Sequence, residues 1–238
     1  QTVKSYLEMF KDLYLLTDLE GWEPPLRAKS RVRTKPKRYF VDPSLPAAVL
    51  GAAPNTLMRD TQTLGDLFET LCIRDLNVYL SAMPGAGNRI AYYRDDKGLE
   101  VDVIIELSDG RWGAIEIKLS DLKVNDDNAD KLKSFRNKIC GNPMAQVRDP
   151  EFMMFLTGRG GKAYRRNDGI LVVPIATLGA WNLVKEKKRR TAKAPVGARA
   201  ARGGKKWSPG LKHGPTRILS IACDGSRRAG EGVALAGS

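Results

Sequence analysis

The sequence predicts an α/β (α+β) protein in three parts. These are a helix-and-strand unit over residues 1–53, a mixed sheet flanked by helices over 60–185, and a disordered basic tail over 186–238. Three observations predict this. Several segments carry apolar residues at helical spacing. Between and after them lie short runs that alternate with period two or are apolar throughout. After Glu186 the apolar periodicity ends and positive charge takes over.

Residues 2–16 place Val3, Tyr6, Leu7, Phe10, Leu13 and Tyr14 at the i, i+3, i+4, i+7 spacing of an amphipathic helix. The stretch YLLTDLEGW reads as a strand entering a turn, broken by Pro24-Pro25. A basic run follows, from Arg27 to Arg38, and then a short strand at Tyr39–Val41 closed by Asp42-Pro43. Helix, strand, basic loop, strand is the outline of an incomplete winged helix, with its earlier helices expected before Gln1. Residues 54–60 read as a connector. A long helix is expected over Leu64–Met83, ended by Gly85 and Gly87.

Strands are expected at Arg89–Arg94, Leu99–Leu107 and Arg111–Leu119. A charged helix at Asp126–Ile139 stops at Gly141-Asn142-Pro143 and covers the sheet. Apolar strands follow at Phe152–Leu156 and Ile170–Pro174, with a closing helix at Thr177–Val184.

Composition narrows the chemistry. A single histidine, His213, excludes a site of several imidazoles, and Cys72, Cys140 and Cys223 form no CxxC pair. No apolar run of about 18 residues exists, so no membrane span is expected and a cytoplasmic setting is the default. Net charge is +13, but residues 186–238 carry 13 Lys and Arg against 3 Asp and Glu. The remaining residues 1–185 are therefore only mildly basic, at +3. The tail reads either as an arm that attracts nucleic acid or as unselected sequence.

The strands at 99–119 hold the candidate chemistry. A two-residue Asp109-Gly110 turn would pair Asp102 with Ile117 and mix acids with core residues. A three-residue loop with Gly110 left-handed pairs Leu107 with Arg111 instead. Val101 then faces Ile117, Val103 faces Ile115 and Ile105 faces Gly113, giving one apolar face. The other face pairs Asp102 with Glu116 and Glu100 with Lys118. Opposed carboxylates repel, and a hard divalent cation, Mg²⁺ or Mn²⁺, relieves that repulsion. The alternative is a solvated face laced by pairs such as Glu100–Lys118.

The order LGDLFETL, AYYRDDKGLEVDVIIE, GAIEIKLS and GILVVPIATLG resembles the PD-(D/E)XK superfamily. With TVKSYLEMFKDLYLL and KRYFVDPSLPAAVLG before it, residues 1–185 resemble the C-terminal region of a prokaryotic AAA+ ATPase family. That region is a domain of unknown function with a restriction endonuclease-like fold behind a winged helix. The resemblance implies a site of Glu69 on the first helix, Asp102 on the second strand, and Glu116 with Lys118 on the third. Asp102 and Glu116 would hold the metal. It also implies a DNA or ATPase partner.

No GxxxxGK[ST] loop is present, so ATP is not expected to bind this chain. Arg31, Arg33, Lys35, Lys37 and Arg38 are candidate phosphate contacts, or else a solvated loop or an ATPase-facing surface. Three functions stay open: a nuclease-like module that binds DNA at a retained metal site, an active Mg²⁺-dependent endonuclease, and a regulatory domain for an ATPase partner.

Overall fold

The computed structural model describes residues 2–23, 35–83, 87–141 and 147–178. The expected tail at 186–238, most of the closing helix at 177–184, and Arg31 and Arg33 lie outside the described residues. The chain divides into two units, Gln1–Ile175 and Ala176–Ser238. The sheets and their covering helices all lie in the first unit.

Helix α1 (Val3–Asp12) leads into β1 (Leu16–Leu19), which pairs antiparallel with β2 (Lys37–Phe40). Two short helices follow, α2 (Ser44–Val49) and α3 (Pro54–Leu57). Apolar spacing predicts neither of them. Proline at the first turn of α3 lacks the N–H that a helix start leaves unpaired, so a residue that reads as a breaker begins the helix. In α2 the Ser44 N–H donates to Asp42 Oδ1 at 2.8 Å.

Helix α4 (Thr61–Ser81) starts at Asp60, whose side chain accepts from the Thr63 N–H at 3.1 Å. It buries Cys72, Ile73, Leu76 and Leu80 on one stripe. After it come β3 (Arg89–Arg94), β4 (Glu100–Glu106) and β5 (Trp112–Ser120). A 3-10 turn at Asp121–Lys123 leads into α5 (Asp126–Cys140). The chain then adds β6 (Phe152–Arg159), the two-residue β7 (Tyr164–Arg165) and β8 (Leu171–Pro174). Among the described residues these strands form one mixed sheet in the order β3-β4-β5-β6-β8-β7. β3, β4 and β5 run antiparallel, while β6 and β8 run parallel to β5.

Both sheet faces are covered, which explains why β5 is buried over most of its length rather than alternating. α4 packs against β3 and β5. α5 buries Ala129, Leu132, Phe135 and Ile139 against Ile104, Trp112, Ala114, Phe155 and Val172. Phe135 centres an aromatic group: its ring lies 4.7 Å from Tyr93, 5.8 Å from Trp112 and 6.3 Å from Trp22, centroid to centroid. The two indoles keep their N–H groups satisfied, Trp22 on Glu106 Oε2 and Trp112 on the Arg148 carbonyl, each at 2.8 Å.

The β4–β5 turn has the three-residue geometry. Leu107 N–H donates to the Arg111 carbonyl at 2.8 Å, and Gly110 has φ +80°. The register pairs Val103 with Ile115, Ile104 with Ala114, Ile105 with Gly113 and Glu106 with Trp112, the pairing expected for the three-residue loop. A methyl group on Gly110 would meet nothing within 4 Å. Gly110→Ala therefore carries only the backbone cost of the left-handed region. It is expected to lower stability by about 1 kcal/mol. In urea unfolding this appears as a lower midpoint with unchanged slope, and an unchanged midpoint contradicts the turn assignment.

Candidate functional site

The hairpin register holds only as far as Val103. On the other side of β4, Ala91 pairs with Ile104 but Tyr93 pairs with Val101. Asp102 and Val103 thus stand together opposite the single residue Tyr92, which is a β-bulge. The bulge resets the alternation of side chains. Val101 joins Ile104 in the core beneath α5, and Glu100 turns away from that face.

The expected Glu100–Lys118 pair is accordingly absent. Glu100 lies 2.5 Å from Lys37 and 4.0 Å from Arg94, while Lys118 pairs with Glu116. The β4–β5 ladder ends at Val103–Ile115, so the expected Val101–Ile117 pairing is not formed. An unbroken ladder would direct the Ile117 N–H to Val101. It donates instead to Asp102 Oδ2 at 2.8 Å. The half-buried Asp102 carboxyl therefore sits where the two strands part.

Glu116 stands beside this opening on β5, only 2% exposed. Its Oε1 accepts from Lys118 at 2.9 Å and from Lys131 at 3.3 Å. Its Oε2 is buried without a hydrogen-bond partner. Thr157, which neighbours Lys118 in the β5–β6 register, also buries a hydroxyl without a partner. Burial, then the charge of Glu116, then that of Glu69 push the Asp102 carboxyl up to about 7, against the opposing pull of the Ile117 N–H and Lys118.

Glu69 is carried by α4. The Tyr39 hydroxyl donates to its Oε1 at 2.6 Å, and Lys37 Nζ lies 3.6 Å from the same oxygen. Burial and Glu69 raise the Tyr39 phenol well above its ordinary value. Burial alone would lower the Lys37 ammonium. Its hydrogen bond to Glu100 and the charges of Glu69, Glu100 and Asp102 carry it above the usual lysine range.

The acid–acid–lysine residues thus occupy one region of the fold, and Asp102 feels the charges of Glu116, Glu69 and Lys118. Among the described residues, however, no group of three or more His, Cys, Asp or Glu side chains is gathered tightly enough to cage a metal ion. What the residues offer an ion is the Asp102 carboxyl together with the unpartnered Glu116 Oε2. These are hard oxygen donors with excess negative charge, a set that fits Mg²⁺ or Mn²⁺.

Of the basic candidates, Lys35 is exposed, Lys37 is engaged by Glu69 and Glu100, and Arg38 lies 3.7 Å from Asp18. Sequence reasoning missed Lys131 and Tyr39. A signal for Lys131 existed. It flanks Leu132 on the buried stripe of α5, where a lysine stem runs along the apolar surface and delivers its ammonium to the rim.

Residues 64–178 match the family model Domain of unknown function (DUF4143). The DUF4143 domain is found in AAA-associated proteins. Residues 1–56 match a second model, Domain of unknown function (DUF8612). No curated protein and no solved structure matches the chain. The DUF4143 region runs from α4 past β8 and contains Glu69, Asp102, Glu116, Lys118 and Lys131. Lys37 and Tyr39 belong to the DUF8612 region. No helix among the described residues is long and apolar enough to cross a membrane.

Proposed function

We propose that this chain is a nuclease-like, DNA-binding module of an AAA+ ATP-binding protein, with a winged-helix portion ahead of a restriction endonuclease-like domain. In this reading Asp102 and Glu116 hold one divalent cation at the opening between β4 and β5. The observation that carries the reading is a carboxyl, Asp102, pushed up by burial and by the charge of Glu116, together with a buried, unpartnered Oε2 on Glu116. When bound, the ion supplies charge neutralisation and polarises a phosphoryl oxygen.

The protein's own groups do the rest. Asp102 is held at the opening by the Ile117 N–H. Lys118 and Lys131 neutralise Glu116 in the absence of a ligand, and their ammonium groups turn to a phosphate when one enters. Both lysines are engaged by the same carboxylate oxygen, which favours a binding role over turnover. Hydrolysis would need Lys118 released onto the phosphate.

Fluorescence anisotropy with a labelled DNA duplex in Mn²⁺ tests this. Binding is expected, weakening steeply as salt rises and falling again when the ion is chelated. Absent or salt-independent binding contradicts it. The same incubation with supercoiled plasmid separates the binding role, in which the plasmid stays intact, from the endonuclease, in which Lys118→Ala abolishes nicking.

A further inference from the structure

The site extends beyond the DUF4143 region. Lys37 and Tyr39 stand on β2, inside the DUF8612 match, yet both reach carboxylates that lie in the DUF4143 match. The Tyr39 hydroxyl and the Lys37 ammonium converge on Glu69 Oε1, and Lys37 also closes on Glu100 Oε1. The ammonium is further seated over the Tyr92 ring, 5.3 Å from its centroid, and the Tyr92 hydroxyl donates to the Lys35 carbonyl at 2.6 Å. β2 belongs to a two-stranded sheet with β1, separate from the six-stranded sheet that carries Asp102 and Glu116. These polar contacts therefore tie the two-stranded sheet to Glu69 on α4 and to Glu100 on β4 of the six-stranded sheet.

An ammonium lodged among carboxylates satisfies the same charge that a divalent cation would. Glu69 is the acid best placed to join Asp102 as a further ligand, and its Oε1 is held by a phenol and an ammonium.

The geometry points to Lys37 and Tyr39 as positioning residues that hold Glu69 and Glu100 and compete with a divalent cation for the site, so that the seating of β2 sets its cation affinity. This inference rests on the cation reading proposed above. By linkage, cation binding loosens β2 to the same degree that β2 weakens cation binding.

The test is a Mn²⁺ titration of the whole chain followed by electron paramagnetic resonance, in the wild type, Lys37→Met, Tyr39→Phe, Lys37→Arg and Asp102→Asn. Lys37→Met is expected to bind Mn²⁺ about five-fold tighter or more. Tyr39→Phe is expected to move in the same direction, and Lys37→Arg to return the affinity to that of the wild type. Tyr39→Phe removes a single hydroxyl and reads the same contact if Lys37→Met fails to fold. Binding by Lys37→Met where the wild type shows none also supports the inference. Equal or weaker affinity in both Lys37→Met and Tyr39→Phe overturns it, while loss of wild-type binding in Asp102→Asn leaves the cation reading standing. No Mn²⁺ binding by any variant overturns both. As a second readout, amide exchange over Lys37–Phe40 is expected to quicken when Mn²⁺ is added, and unchanged exchange counts against the linkage.

Discussion

Asp102→Asn is expected to be more stable than the wild type at pH 8 in the presence of a chelator, by about 2 kcal/mol. The sign follows from the carboxyl's position. Its folded value is raised from 3.8 to about 7 by burial and by the charges of Glu116 and Glu69. Below pH 3.8 the group is protonated in both states and carries no penalty. Between 3.8 and about 7 the unfolded chain has released the proton that the folded chain still holds, so wild-type stability falls as pH rises. Above about 7 the folded protein bears the full cost of a charge next to two other carboxylates. Asparagine keeps an oxygen for the Ile117 N–H and removes the charge. The stabilisation should therefore be present at about pH 8 and vanish near about pH 4. Urea unfolding at the two values measures it, and a variant no more stable than the wild type at the higher pH contradicts the placement of Asp102. Stability gained by removing a charged residue is the signature of a site built to bind something.

Phe135→Ala is expected to cost about 4 kcal/mol, the largest loss from a single side chain in α5. Phe135 is fully buried and touches the rings of Tyr93, Trp112 and Trp22, which join β3, β5 and the segment after β1. Truncation leaves a cavity that these rigid aromatic neighbours cannot close. A drop of about 10 °C in thermal midpoint follows for a domain of this size. Phe135→Leu, which keeps most of the volume, should cost about 1.5 kcal/mol. The alanine substitution also loosens the helix that presents Lys131 to Glu116. A loss below about 1 kcal/mol for Phe135→Ala would mean that α5 is not the main cover of this face.

The hairpin was legible in the sequence because two independent signals agreed. Ser108-Asp109-Gly110 marks the turn, and matching Val103 with Ile115 and Ile105 with Gly113 selects the three-residue loop that the structure has. α5 was legible from a helical stripe, Ala129, Leu132, Phe135 and Ile139, behind a capping Asn125, and β3 from a short run rich in apolar and aromatic residues.

The bulge at Asp102–Val103 was not legible. No glycine or proline marks it, and it arises from how β3 pairs on the other side, a relation that no single strand contains. That one displaced residue is why Glu100 reaches Lys37 instead of Lys118. The side-chain neighbours of Glu69 were hidden likewise, because Tyr39 reaches it across 30 residues of chain. The short elements α2, α3 and β7 carry too few residues to show a period, and tertiary contacts decide them.

Whether Asp102 and Glu116 share a cation is measured most directly in a crystal of the chain equilibrated with Mn²⁺, with the metal located by its anomalous scattering. One Mn²⁺ about 2.1 Å from an oxygen of each carboxylate is the predicted result. A metal bound elsewhere, or none while both carboxylates keep their lysine and backbone partners, would contradict it.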